Sequence, residues 1–540
     1  MTPRKSHRVG RGSSKKRPVC LKFAFLLPLL VFALQARHAR PDEAPGAYPR
    51  PIAGETPLPQ APIEGAGGLE FPWDASGEGQ AFPAGGGRAW DEAEERGFGR
   101  TALAALAAAG YCLASNGLVM LFNRFVIQAP WAFPTAASIR RNFTEPWKWE
   151  DTDGFKVNHI GHPLQGMTYF SAGRVMGFCF YGSIFFSAFG SFTWEAFGET
   201  QQASINDFYI TTPTGLSLGE MMFSLYMQAH AAGVPAFVTF FINPTVGVHR
   251  LLTRWEPPEV ERNLYELRFY LAAGYADTRY SASGPMVNAG GRREIFSHRG
   301  AFAEAGFRIV YGDPFVQSAW VPFRHFEFHG SFGTDLHRHN DFRLFSDGYL
   351  FSFAPVLTET RALSTGLSLI FDFASIGEFD MYDATINMFS NALAWTAKHR
   401  RVFSPGVGLR SRAHAGFTFF GASNYYNPLV EGKTELKNHG FGVNLRHISS
   451  LEMGRFRLDL SNFFLFQWSY PGDTSQISRG FVRWQFHDIA LSYLVSPRVS
   501  LGASFSLATE RGFFGEFPST RKNHWSARTF VAWNGRNIRE

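Results

Sequence analysis

Cysteine is nearly missing. The three present, Cys20, Cys112 and Cys179, are too few and too scattered for a disulfide framework or a thiolate zinc site. Net charge is missing as well, once the N-terminus is set aside. The formal +7 arises in residues 1–36, which hold eight Lys or Arg and no acid, leaving 44 basic against 45 acidic residues beyond them. A near-neutral chain carries no electrostatic footprint for nucleic acid, which is excluded as a partner. His-Glu-x-x-His does not occur, so that common metallohydrolase signature is absent. No cofactor is implied, and no spacing of ligands calls for a metal. A lipobox is absent too, because Cys20 lies too early and Tyr111 before Cys112 is too large.

Phenylalanine, by contrast, is abundant, 57 of 540 residues. Aromatics at this level suit strands and membrane interfaces better than a helical bundle. Residues 1–36 combine a basic n-region (Arg4, Lys5, Arg8, Arg11, Lys15, Lys16, Arg17), an apolar core from Phe23 to Leu34 and a small-x-small exit at Ala36. That is the pattern of a secretory signal peptide, and a twelve-residue core is short for a membrane span. Residues 37–94 read as a disordered tether, since 41–90 carry nine Pro and ten Gly and cannot bury enough apolar area to offset the ordering entropy. Ala102 to Ala109, nearly all Ala and Leu, opens a helix that runs to about 128. It reads as a packing helix or a membrane helix, with Asn116, Gly117 and Asn123 favouring packing.

The centre of the chain is different in kind. Residues 163–193 contain one charge, Arg174, among small and aromatic residues. His162-Pro163 suggests a helix start. Gly173 and Gly177, then Ser183, Ser187 and Ser191, recur four apart and would let helices approach closely; Gly182 and Gly190 would break the run in two. Thr211-Thr212-Pro213 reads as a turn and a new helix start. Around this apolar run stand His159, His162, Arg174, Glu195, Glu199, Asp207, Glu220 and His230. Glu195 and Glu199 would share one helical face. Two carboxylates in an apolar interior cannot both be ionised cheaply without a cationic neighbour. Three readings follow: a buried polar network that serves packing, a Glu/His acid–base pair acting on a lipid or envelope ester, or a transport or ion-relay path.

From 263 the period changes to two. Tyr265, Leu267, Phe269, Leu271, Ala273 and Tyr275 alternate with residues that include Glu266 and Arg268, over a length that crosses a bilayer tilted. Comparable runs recur near 300–312, 323–334, 341–354, 363–374, 384–397, 403–419, 438–448, 453–469, 478–494, 498–508 and 523–536, about twelve strands in all. As a soluble sandwich they would leave large apolar faces in water, whereas a closed barrel in lipid leaves no unpaired edge.

The string Asn158-His159-Ile160-Gly161-His162-Pro163-Leu164-Gln165-Gly166, with Tyr169-Phe170, Arg174, Ser191 to Glu195, Glu199, Ile205-Asn206-Asp207, Thr212-Pro213, Gly215 and Gly219-Glu220, resembles bacterial envelope proteins grouped as domain of unknown function 3943. The resemblance covers about 130–240 and implies a secreted, membrane-associated protein with no assigned activity. The sequence therefore predicts an all-β outer-membrane-type antiparallel β-barrel of about twelve strands (263–536), preceded by a small helical domain (95–255), α+β overall. The helical unit is expected to plug or line the barrel through its His/Arg/Glu network. The alternatives are a membrane-embedded lipid- or envelope-modifying hydrolase and a pore. The expected location is the bacterial outer membrane, with membrane lipid and the outer-membrane assembly machinery as partners.

Overall fold

The computed structural model describes residues 98–535, apart from 129, 150–154, 261, 284–291, 316–317, 336–339, 379–385, 426–435, 471–479 and 516–517. The expected signal peptide and tether lie outside the described residues. Among the described residues seven α-helices come first: α1 (Phe98–Phe122), α2 (Ala136–Thr144), α3 (His162–Val175), α4 (Phe180–Phe197), α5 (Ile205–Ala231), α6 (Ala236–Ile242) and α7 (Pro244–Thr253). Pro163 sits in the first turn of α3 as its fixed φ allows. The break in the apolar run falls at Gly177 rather than at Gly182 or Gly190, which stay inside α4. Gly177 takes φ 85°, and the Phe178 and Gly177 N–H groups close the end of α3 on the Gly173 and Arg174 carbonyls. Pro213 also departs from expectation. It lies inside the 27-residue α5, which begins at Ile205 with Asp207 in its first turn. Packing against α3 overrides the local Pro signal.

That packing is close. A Cβ built on Gly215 of α5 would lie 2.6 Å from the backbone of Gly166 in α3. Gly215→Ala should therefore cost about 1–3 kcal/mol by overpacking, read as a lower urea midpoint of the folded, heat-modifiable gel band. Gly117→Ala, with nothing within 4 Å, should leave the midpoint unchanged. Equal midpoints for both would show that α3 and α5 do not meet this way.

Twelve long strands follow: β1 (Leu264–Ser283), β2 (Arg292–Tyr311), β3 (Phe326–Asp335), β4 (Asn340–Leu357), β5 (Arg361–Glu378), β6 (Ile386–Ser404), β7 (Val407–Tyr425), β8 (Leu436–Met453), β9 (Phe456–Ser469), β10 (Gly480–Ser496), β11 (Val499–Phe514) and β12 (Ser519–Asn534). Each pairs antiparallel with its neighbours in sequence, and β1 also pairs with β12, from Arg268 opposite Asn534 to Ser283 opposite Ser519. The sheet is thus a closed twelve-stranded barrel. A two-residue strand, Ser318–Ala319, adds to β4. One barrel end carries two-residue turns at 405–406, 454–455 and 497–498 together with the long connection 312–325.

Alternation assigns the two faces. Asp372 of β5 meets Arg446 of β8 at 2.9 Å. Arg268 of β1 meets Asp459 of β9 at 3.4 Å, and Arg343 of β4 meets Asp488 of β10 at 3.5 Å. These strands are not neighbours, so the contacts cross the lumen. Phe371 and Phe373 flank Asp372 and must point outward. There they are fully buried, in one cluster with Phe155, Phe170 and Leu218 of the helical unit. Phe155 packs on Phe373 with ring centroids 5.9 Å apart, and Asn391 of β6 donates to Thr214 of α5 at 2.8 Å. Asn391 pairs with Phe371 and shares its outward face.

The helical unit therefore packs on the outside of the barrel, over β2 to β8, and does not plug or line it. The barrel's own charged and aromatic side chains, which meet across the lumen, occupy the place a plug would take. Helix α5 runs the height of the wall, about 40 Å at 1.5 Å per residue. Near its N-terminal end Trp149 packs on Tyr470 past the end of β9, and near its C-terminal end Gln228 accepts from the Asn263 N–H just before β1.

Candidate functional site

The residues singled out by sequence fall into three separate groups. The first joins the ends of α3, α4 and α5. The Ser204 N–H donates to Glu195 Oε2 at 2.9 Å, and its hydroxyl donates to Asp207 Oδ2 at 2.5 Å. His162 Nε2 lies 3.7 Å from Asp207 Oδ1, and its Nδ1 hydrogen-bonds Thr211 Oγ1 at 3.1 Å. Glu195, Ser204 and Asp207 are each at most 1% exposed. Acyl transfer by a hydroxyl pairs it with a general base such as an imidazole; the Ser204 hydroxyl is bonded to a carboxylate instead, and the Thr211 hydroxyl, which does meet His162, is 1% exposed. Glu199 lies two residues beyond the end of α4, buried, and so does not share a helical face with Glu195.

The second group is an ion pair at the α3–α5 contact. Arg174 Nη2 donates to Glu220 Oε1 at 2.9 Å, and Nε lies 2.7 Å from Oε2, a bidentate geometry. Arg174 also donates to the Phe178 carbonyl at 2.9 Å and sits over the Phe223 ring, 4.9 Å from its centroid. The third group is His159 alone among the predicted residues. Its Nδ1 bonds the Phe155 carbonyl at 2.6 Å, and its ring packs against Phe389 and His439 on the barrel's outer face. His230 is apart from all three, 3.7 Å from Glu256.

The lumen holds the groups that sequence reasoning did not single out. Glu327 of β3 and Asp347 of β4 face Lys398 of β6 and Arg412 of β7. Lys398 Nζ lies 2.9 Å from Glu327 and 3.2 Å from Asp347, and Arg412 bonds both acids. Arg308 of β2 adds a third cation to Glu327 at 3.1 Å. Farther round, Arg528 of β12 pairs with Glu304 of β2. An apolar layer that includes Trp484, Phe463, Phe486, Leu465 and Met388 lies in the lumen beside these charges. The signal was present: Glu266 and Arg268 sit on the inward half of the β1 alternation, and the same parity carries Arg308, Asp372 and Arg446 in later strands.

Residues 146–245 match the family described as domain of unknown function DUF3943. This is the family the sequence resembles. The matched segment contains α3 to α6 and the seven buried residues singled out by sequence, from His159 to Glu220. No curated protein matches the chain. Solved structures similar to its barrel half include the β domain of the Bordetella autotransporter BrkA, with 12% identity and TM-score 0.24, covering 50% of this chain and 99% of that one. A Pseudomonas aeruginosa FadL homologue has 10% identity and TM-score 0.24, covering 50% and 90%. The outer-membrane protease OmpT from Escherichia coli has 7% identity and TM-score 0.21, covering 50% and 97%. These likenesses assign no activity to this chain.

Proposed function

We propose that the protein is an integral outer-membrane protein in which the DUF3943 segment lies in the bilayer against the barrel wall. Barrel and helices form one body around a lumen closed to passive flow. The observation that carries this reading is the continuity of the apolar exterior. On the uncovered wall Leu271, Leu491, Leu501 and Val531 are exposed. Where helices cover the wall, the outermost surface is again apolar, with Leu106 and Leu118 of α1 and Phe185 of α4 exposed. The stretch Gly99–Val126 is long and apolar enough to cross a membrane. Asn116 turns its amide inward, to the Gly190 carbonyl and Thr193, leaving the leucines to lipid. Lipid is then the principal partner of the helical unit, and the assembly machinery that folds such barrels is its expected route in.

In this reading Glu195, Ser204, Asp207 and His162 lock three helix ends together, and Arg174–Glu220 fixes how α3 and α5 meet. A hydrolase would need substrate and water at Glu195, which is 1% exposed. The test is maleimide labelling of Leu106→Cys in a Cys179→Ser background. In outer-membrane vesicles the thiol should stay unlabelled, and detergent plus urea should expose it. Rapid labelling in intact vesicles would place α1 in water and overturn the proposal.

A further inference from the structure

Inside the barrel lies a cavity of about 240 Å³ whose lining has an unusual make-up. Five arginines reach it: Arg268, Arg308, Arg343, Arg446 and Arg528. Only two carboxylates do, Asp459 and Asp488. The acids that pair with Arg308, Arg446 and Arg528, namely Glu327, Asp372 and Glu304, lie outside the lining. The cavity surface itself is thus cationic although the lumen as a whole is nearly balanced.

Two of these guanidinium groups keep donor capacity in hand. Arg343 and Arg446 are 8% and 4% exposed, and neither Arg343 Nε nor Arg446 Nη1 has a hydrogen-bond partner. A buried donor without a partner costs free energy that an acceptor would recover. Much of the remaining wall is aromatic. Arg446 lies between the Phe345 and Phe463 rings, 4.7 Å from each centroid, and Phe486 and Phe530 complete that side. At roughly 30 Å³ per water, the space holds about eight waters or one ring-sized organic molecule.

We propose that this cavity binds a small organic carboxylate with an apolar body. The carboxylate accepts from the Arg343 and Arg446 guanidinium groups, whose planar forks match its geometry. The phenyl faces take the body, which a bare inorganic anion would leave uncovered. No bond is made or broken. The proposal concerns the lumen and is independent of where the helical unit lies.

The experiment uses the full chain, purified in detergent, with benzoate as probe, benzyl alcohol as its neutral counterpart and acetate as the head without the body. Calorimetric titration should give saturable benzoate binding at least tenfold tighter than either control. Arg343→Gln leaves its partner Asp488 one-third exposed, so the fold should survive, shown by an unchanged heat-modifiable band, while benzoate binding weakens at least tenfold. Ala490→Phe fills the cavity with all five arginines in place and should abolish binding. Equal affinity for benzoate and acetate, or for benzoate and benzyl alcohol, overturns the proposal on the unmodified protein alone. Undiminished binding to a folded Ala490→Phe protein overturns it as well.

Discussion

Glu220→Gln should lower the stability of the helical unit by about 3–5 kcal/mol, the loss expected when one partner of a buried ion pair is removed. The side chains of Arg174 and Glu220 are 8% and 6% exposed. Glutamine keeps the volume and one hydrogen bond but removes the charge that Glu220 sets against the guanidinium at the contact of α3 and α5. The Phe178 carbonyl and the Phe223 ring, which stay, are neutral. Arg174→Met alone should cost a similar amount by stranding the carboxylate. The double variant Arg174→Met with Glu220→Met should recover most of the loss, because two apolar side chains of similar volume need no desolvation. The readout is the urea midpoint of the heat-modifiable band for wild type, both single variants and the double. A double variant no more stable than the worse single one would mean that the residues act separately. A silent Glu220→Gln would mean that the pair is solvated.

The barrel was legible because alternation is a two-residue signal repeated twelve times. Glu266 and Arg268 facing the lumen, with Leu267 and Phe269 between them, follow from the pleat alone. The side of the barrel wall that the helices occupy was not legible from their own sequence, because plugging and cladding both select small, apolar helix faces. The discriminating residues lie in the strands. Asn391 and His439 occupy outward positions where lipid would select large apolar side chains, and they meet Thr214 and His159 of the helical unit. Glu195 and Glu199 satisfied the four-residue spacing, but the helix ends at Phe197, so spacing without a helix boundary misled. The lumenal acids and bases were overlooked for a different reason. Their partners lie on strands far apart in sequence, as Lys398 does from Glu327, so no local pattern joins them.

Glu327→Gln should be the most costly change in the lumen, and it should still not open a pore. Glu327 meets Lys398, Arg412 and Arg308, and Asp347 is the nearest other acid to the first two. With one carboxylate neutralised, Lys398 and Arg412, whose side chains are 4% and 5% exposed, share Asp347. The expected loss is again about 3–5 kcal/mol, and it should change little with added salt because buried charges are weakly screened. Conductance is a separate matter. The apolar layer around Trp484 is a second barrier in series, and a charge change leaves it intact. Trp484 is fully buried and donates its indole N–H to Glu510 at 3.1 Å, so Trp484→Ala should cost about 3–5 kcal/mol in lost packing. In planar bilayers wild type and either single variant should be silent, and Glu327→Gln combined with Trp484→Ala should pass ions. Steady current through Glu327→Gln alone would show that the apolar layer is no barrier. Current through wild type would show that the lumen is already open, and the closed-lumen reading would fall with it.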